Sequence, residues 1–201
     1  MATLSNLLNN LRNFFGNFSG RFTSESGTFH HVDGIVNSFT PSPENIIKDG
    51  FDAPDGWNGN KVHHPNAIKT LIIPEGVKGF SGHFLTGWAV TKSVVFPDSL
   101  QSIGKHDSDS CVFSGCYLPE VVLPKSLKCL GAYAFGNCHI KKLVVPPTVR
   151  SRYNRQFKDS TIEELYLPKI ILERGKITIG NQDHGFYLNF YIQCHCNIIE
   201  Y

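Results

Sequence analysis

A proline-terminated motif recurs five times between residues 71 and 168, and it constrains the fold more than any other feature of the sequence. The copies read LIIP, VVFP, VVLP, LVVP and LYLP and end at Pro74, Pro97, Pro124, Pro146 and Pro168. The prolines are 23, 27, 22 and 22 residues apart, and an apolar residue stands three positions after each one. Self-similarity at a period of this length indicates a solenoid, in which no repeat can bury its apolar side alone.

Phenylalanine and cysteine occupy further positions in phase with this period. Phe113, Phe135 and Phe157 each stand eleven residues before a motif proline, and Cys116 and Cys138 follow the first two after three residues. In a stack the two thiols are expected to pack as small, reduced, buried hydrophobes. A disulfide would require an oxidising compartment, which nothing in the sequence indicates.

The stretch Leu127–Cys138 resembles the consensus of the BspA-type leucine-rich repeat family, which runs Leu-x-x-Leu-x-Ile-Pro-x-x-Val-x-x-Ile-x-x-x-Ala-Phe-x-x-Cys. The match includes Leu130-Gly131 and Ala134-Phe135-Gly-Asn-Cys138, and the resemblance covers about residues 66–172 as about five rungs. It implies a repeat solenoid that is mainly β. The first rung departs from the pattern with Phe84-Leu-Thr-Gly-Trp88, the second carries an insertion at 105–110, and the fourth has Ser160 in place of cysteine.

Four segments follow from this pattern. Five rungs about 4.8 Å apart make a ladder only about 20 Å long, which needs a cover at each end. We expect a docking helix over residues 1–20, an irregular N-terminal cap over 21–65, the repeats over 66–172 and a C-terminal β-hairpin cap over 173–201. The cap over 21–65 is expected to be irregular because the segment is rich in Gly, Ser, Pro, Asn and His.

The first eighteen residues carry a helical apolar stripe. Its members are Leu4, Leu7, Leu8, Leu11, Phe14, Phe15 and Phe18. The stripe either folds back on the chain's own core or docks on another subunit, and we adopt docking as the prediction. Binding to a membrane surface is disfavoured because the opposite face carries one Arg and no Lys.

The repeat strands predict a second apolar stripe, at the middle position of each tetrapeptide. Because its neighbours face the core, the middle residue should face outward. These residues are Ile72, Val95, Val122, Val144 and Tyr166, with Lys69, Lys92, Glu120, Lys142 and Glu164 beside them. An exposed apolar stripe with a charged rim predicts a protein-binding surface. Two alternatives stay open: β-branched residues simply suit strands, or the N-terminal segment covers the stripe.

No arrangement of residues predicts chemistry. Cys194-His195-Cys196 lacks the second ligand pair of a zinc site, and Gly79-Phe-Ser81-Gly82-His83 lacks the last glycine of a hydrolase elbow. We therefore expect no catalytic, cofactor-binding or metal-binding residues and no enzymatic activity.

Charge and hydropathy limit the partners. Nineteen basic and 17 acidic residues give a net charge of +2, so we do not expect nucleic-acid binding. The sequence predicts neither a signal peptide nor a transmembrane segment, which favours a virion or cytoplasmic location over secretion. We predict a non-enzymatic structural or protein-interaction module, part of an oligomeric assembly such as a bacteriophage virion. The alternative is an adhesin or receptor-binding module that recognises a cell-surface protein or glycan, as in members of the resembled family.

Overall fold

A computed structural model describes residues 19–53, 62–104, 111–149, 156–169, 178–179, 191–192 and 197–201. The strands in the first half are β1 Ser19–Ser24, β2 Gly27–Val32, β3 Ile35–Pro41, β4 Phe51–Ala53, β5 Val62–His64, β6 Ala67–Ile72, β7 Gly79–Phe80, β8 Ala89–Val95 and β9 Ser102–Ile103. Those in the second half are β10 Tyr117–Val122, β11 Cys129–Leu130, β12 His139–Val144, β13 Thr161–Leu167, β14 Thr178–Ile179, β15 Tyr191–Ile192 and β16 Asn197–Glu200. A 3-10 turn spans Pro43–Asn45.

Two six-stranded sheets enclose the core. Sheet 1 has the order β1-β2-β3-β7-β9-β11, and sheet 2 has the order β16-β13-β12-β10-β8-β6. All strand pairs in sheet 2 are parallel. A solenoid requires this, because each coil brings the chain back beside the strand of the preceding coil, running in the same direction. The five predicted rungs are β6, β8, β10, β12 and β13, so the prediction of a mainly β repeat solenoid is confirmed.

The first three motif prolines, Pro74, Pro97 and Pro124, each start a turn that leads from sheet 2 to sheet 1. The carbonyl of Pro124 accepts a hydrogen bond of 3.0 Å from the N–H of Leu127, three residues on, and Pro97 does the same for Leu100 at 3.2 Å. Leu127 and Leu100 are both fully buried, which explains why an apolar residue follows each proline at this distance. Three residues later the chain forms the short sheet 1 strands.

The phenylalanines of the repeats form a column through the core. The ring centroids of Phe113 and Phe135 are 5.2 Å apart at 9°, and those of Phe135 and Phe157 are 5.7 Å apart at 12°. All three side chains have no exposed surface. In the first coil Leu85 occupies the equivalent position. Its N–H donates to the carbonyl of Val112 in the next coil, just as the N–H of Phe113 donates to the carbonyl of Ala134.

The turns after these phenylalanines require a left-handed residue. Gly115, Asn137 and Asp159 occupy equivalent places with φ values of 68°, 55° and 57°. Glycine, asparagine and aspartate tolerate this conformation best, so the turn keeps its shape although the residue changes. The cysteine or serine that follows is thereby directed into the core.

One irregularity in the repeat has a structural cause. The sequence places polar Thr91 where other rungs have a buried aliphatic residue, but the structure places Val90 there, with no exposed surface. Ile68 pairs with Val90 whereas Thr70 pairs with Ser93, so β8 carries one extra residue as a β-bulge. The bulge puts the additional polar residue on the outer side and keeps the core apolar.

The N-terminal cap is more regular than predicted. Residues 19–41 form an antiparallel meander, β1-β2-β3, and β3 then pairs in parallel with β7 of the first coil. Asp33 and Gly34, with φ values of 53° and 83°, form the two-residue hairpin turn between β2 and β3. The prediction of an irregular cap was wrong here, because its composition conceals a short-range hairpin signal.

The docking helix was predicted over residues 1–20. Residues 1–18, with all seven members of its apolar stripe, lie outside the described residues. Ser19 and Gly20 belong to β1, so the predicted helix extends two residues too far. Pairing with Val32 and His31 of β2 holds these two residues in the extended conformation.

Polar side chains cap the open edge of sheet 2 at β6. The amide of Asn45, which is buried, donates to the carbonyl of Thr70 at 2.7 Å and accepts from its N–H at 2.8 Å. The Ser26 hydroxyl accepts from the N–H of Ile72 at 2.7 Å, and that of Ser24 donates to the carbonyl of Ile72 at 2.6 Å. These side chains replace a neighbouring strand and protect the edge from pairing with another chain.

The described strands of the C-terminal cap do not form the predicted hairpin. β14 and β15 pair in parallel, and β16 adds to the free edge of β13 in parallel, with Leu165 opposite Ile198. A hairpin would require antiparallel strands. The strand β16 instead extends the solenoid by one rung, because β13 presents an unpaired edge there.

Truncation of the central ring of the phenylalanine column tests this packing. Phe135→Ala should lower the free energy of unfolding by about 3–5 kcal/mol, because a cavity opens between two stacked rings. Val122→Ala, which shortens a half-exposed side chain, should cost less than about 1 kcal/mol. Urea unfolding of both variants gives the two values, and similar values would contradict the proposed core.

Candidate protein-binding face

The outward side of sheet 2 carries the stripe that the sequence predicted. We call it the repeat face and define it by Ile72, Val95, Val122, Val144 and Tyr166 with the polar residues beside them. Val95 is 47% exposed and Val122 is 50% exposed, so two neighbouring strands present aliphatic side chains to solvent. Ile72, Val144 and Tyr166 are half-buried. On each strand, the residue before and the residue after the stripe residue point toward the core.

Charges stand in register beside the stripe. In β10, β12 and β13, Glu120 lies opposite Lys142, which lies opposite Glu164. The Lys142 ammonium contacts the Glu120 carboxylate at 2.7 Å and lies 5.2 Å from the centre of the Tyr166 ring. The Tyr166 hydroxyl donates to Glu164 at 3.2 Å. The rim is therefore a connected row of alternating charge.

This row changes the ionisation of its members. The hydrogen bond to Glu120 raises the pKa of Lys142, so the ammonium stays charged over the neutral range. Desolvation, followed by the hydrogen bond to Glu164, raises the pKa of the Tyr166 hydroxyl. The hydroxyl is therefore a hydrogen-bond donor at neutral pH. The face thus combines an aliphatic centre with fixed charges, an arrangement suited to protein recognition.

Two of the lysines predicted for the rim lie in another column. Thr70 pairs with Ser93, so these two hydroxyl residues occupy the column of Glu120, Lys142 and Glu164 in the first rungs. Lys69 is one position earlier and donates to the carbonyl of Glu44 at 2.6 Å. Lys92 belongs to the bulged segment of β8. The first two rungs therefore remain basic, but their charges are displaced along the strand.

A cavity of about 160 Å³ lies beside the N-terminal ends of the sheet 2 strands. It is lined by Ala53, Val62, His64, Gly115, Cys116, Asn137, Cys138, His139, Asp159 and Thr161. His139 bonds to Glu163 at 2.9 Å, and His64 lies 3.1 Å from the carbonyl of Gly87. Within the described ranges, no group of three or more His, Cys, Asp or Glu side chains is placed to hold a metal ion.

The two thiols in this cavity are structural. Cys116 donates to the carbonyl of Leu85 at 2.9 Å, and Cys138 donates to that of Phe113 at 2.8 Å. Ser160, the next residue in this column, donates to the carbonyl of Phe135 in the same way. Burial raises the pKa of Cys116 to about 12 and that of Cys138 well above its usual value. Both thiols are therefore protonated at neutral pH and poor nucleophiles.

Four of the six cysteines are described, and none of these four forms a disulfide: Cys111, Cys116, Cys129 and Cys138. This agrees with the prediction for Cys116 and Cys138. Cys194 and Cys196, together with the histidine between them, lie outside the described residues, so the prediction that they form no zinc site stays a prediction.

The repeat that contains the phenylalanine column and the buried thiols matches the model of a known protein family. The chain carries a BspA-type leucine-rich repeat region. The match covers residues 87–182 with six copies of the repeat, compared with the five rungs predicted over 66–172. The preceding coil, which begins at β6, has the same backbone pairing although its sequence departs from the consensus. No curated protein and no solved structure is significantly similar to the chain.

The family indicates a protein-interaction module. Among the described residues, no helix is long and apolar enough to cross a membrane.

Sequence reasoning missed two contacts of the repeat face. The sequence contained a signal for the charge row, because Glu120, Lys142 and Glu164 are spaced by 22 residues, the length of one coil. It contained none for the pairing of His139 with Glu163, which are 24 residues apart. That contact depends on a side chain reaching diagonally between strands.

The raised pKa of Cys116 predicts how stability depends on pH. Above pH 9 this thiol ionises in the unfolded chain but stays protonated in the folded one, so the unfolded state binds fewer protons and stability falls as pH rises. The loss should be about 1.4 kcal/mol per pH unit until the pH approaches 12. Cys116→Ser should remove this contribution in urea unfolding between pH 9 and pH 10, whereas Cys111→Ser should retain it. Equal slopes in wild type and Cys116→Ser would contradict the prediction.

Proposed function

We propose that this chain is a subunit of a larger assembly, a virion in the setting that the sequence favours, and that it holds another protein through the repeat face. The observation that carries the proposal is the exposure of Val95 and Val122 on adjacent strands in the middle of a charged rim. β-strand propensity explains why these residues are β-branched, but a polar β-branched residue such as threonine would serve equally well on a solvated face.

The energetics favour a binding role for this stripe. Removing an aliphatic side chain from water contributes about 1.5–3 kcal/mol when burial is complete, and Val95 and Val122 are only half buried. When a partner covers these two side chains, the rest of this free energy contributes to binding. Because the charges of the rim are already paired within the chain, they determine the orientation of a partner more than its affinity.

Site-specific photo-crosslinking tests the proposal. A benzophenone amino acid at Val95 should give a defined adduct when the full chain is expressed in its native host, because a partner covers that position. The same amino acid at Lys128, an exposed residue on the turn that follows sheet 2, should give none. Adding Val122→Asp should abolish the Val95 adduct, because the new carboxylate would be buried without a counter-charge.

The identity of the adduct separates the candidate functions. A protein that co-purifies in the same particle supports the assembly role. The adhesin alternative predicts a host-cell surface protein and binding of the purified chain to intact cells, with loss of binding in Val122→Asp. No adduct at Val95, or one that persists in the Val122→Asp chain, would contradict the repeat face as a protein-binding site.

The predicted N-terminal helix is the second contact in this proposal and is argued from its sequence. Replacing Leu7, Leu11 and Phe14 together with serine should abolish incorporation into the assembly while the repeat core keeps its melting temperature. Particle sedimentation and thermal melting measure the two effects. A sharply lowered melting temperature would show that the stripe packs on the chain's own core.

A further inference from the structure

The order of charges along the repeat face is self-complementary. Counted from β6 to β13, the first five strands of sheet 2 read basic, basic, acidic, basic and acidic at their outward polar positions. The residues are Lys69, Lys92, Glu120, Lys141 with Lys142, and Glu163 with Glu164. When this order is reversed and laid over itself, Glu120 meets the Lys141–Lys142 pair and Lys92 meets the Glu163–Glu164 pair. No like charges face one another.

We infer that the repeat face docks a second copy of this chain, with a two-fold axis parallel to the strands and midway between β10 and β12. This inference rests on the proposed function and names the partner of that same face. Rotation about such an axis reverses the strand order and keeps the strand direction. β10 then lies over β12 of the second copy, β8 over β13 and β6 over β16.

The apolar positions match in the same arrangement. Within each chain the outward apolar residues form one row across the strands, because Ile72 pairs with Val95, Val122 with Val144, and Tyr166 with Ile199. The rotation leaves the height along the strand unchanged. Val122 therefore meets Val144 of the second copy, and half-exposed Val95 meets the ring of Tyr166. The two exposed valines each gain an apolar neighbour.

A different two-fold axis can be rejected on charge. An axis across the strands would place every rung opposite itself and would reverse the height along each strand. At the height of the charge row it would set Lys142 against Lys142 and Glu164 against Glu164. Like charges in direct opposition are destabilising. The alternation of sign between neighbouring rungs therefore selects the axis along the strands, in which Glu120 and Lys142 of both copies form one network of four groups.

The size of the face limits the strength of this dimer. Six strands about 4.8 Å apart, each of about six residues with a rise of about 3.3 Å per residue, give a footprint of about 24 Å by 20 Å. This is smaller than the roughly 800 Å² that each partner of a standard interface buries. We therefore expect a weak dimer, one that assembles in the micromolar range and that a larger assembly would reinforce.

Charge reversal tests the arrangement with the full chain. In Glu120→Lys the positions 120 and 142 are both basic, and in Lys142→Glu both are acidic. Each variant alone should self-associate at least about tenfold more weakly than wild type in sedimentation velocity at about 10 to 500 µM. An equimolar mixture should recover association to within about threefold of wild type, because position 120 of one chain faces position 142 of the other.

Matched controls separate this effect from charge or folding. Glu25→Lys and Lys128→Glu make the same charge changes at exposed positions outside the face and should leave association unchanged. The chain with both Glu120→Lys and Lys142→Glu keeps its internal ion pair and should dimerise alone. It also keeps the test valid if a single variant folds poorly.

The outcomes are distinct from those of the crosslinking experiment. A monomeric wild-type chain at 500 µM (about 11 mg/ml), or a mixture of variants that stays monomeric, overturns the two-fold dimer. If the Val95 adduct then contains a different protein, the proposed function stands and the partner is heterologous. If the mixture recovers association, the second copy is the partner.

Discussion

The rings of Phe113, Phe135 and Phe157 lie nearly parallel and fully buried in the centre of the stack, and the register of the coils depends on them. Each ring is worth about 1.5–3 kcal/mol through burial, and each stacked pair adds about 0.5–1.5 kcal/mol. The backbone supports the same register, since the N–H of Phe113 bonds to Ala134 and that of Phe135 bonds to Gln156 at 2.9 and 2.8 Å. A one-residue slip would break both sets of contacts at once.

That register also creates the repeat face. Because the coils are held in phase, Glu120, Lys142 and Glu164 fall into one row, and the aliphatic residues beside them fall into another. A row of matched positions is what a flat, repetitive binding surface requires, and it arises without further design once the core is in phase. The bulge in β8 shifts the lysine of the second rung along its strand and leaves the apolar row intact.

At both ends of the stack, other parts of the same chain bind the backbone of the terminal repeat strand. Asn45, Ser24 and Ser26 satisfy the backbone of β6, and β16 covers β13 at the other end. Association through the edges is therefore blocked at β6, whereas the outward side of sheet 2 stays accessible. This contrast directs binding to the face and away from strand addition at that edge.

The sequence by itself determined the repeat, the five predicted strands and the burial of Phe135, Cys116 and Cys138. Residues one coil apart share one environment, so the same types of residue recur in the sequence at a fixed spacing. Tertiary structure alone decided the parallel pairing of β3 with β7, the parallel addition of β16 and the bulge at Thr91. These features depend on which strand edge is still unpaired when a segment folds onto the stack. Neither the composition of the segment nor the spacing of its residues predicts which edge that is. The charge row lies between the two: its 22-residue spacing was present in the sequence, but the contacts of Lys142 with Glu120 and with the Tyr166 ring required the strands to be brought within about 5 Å of one another.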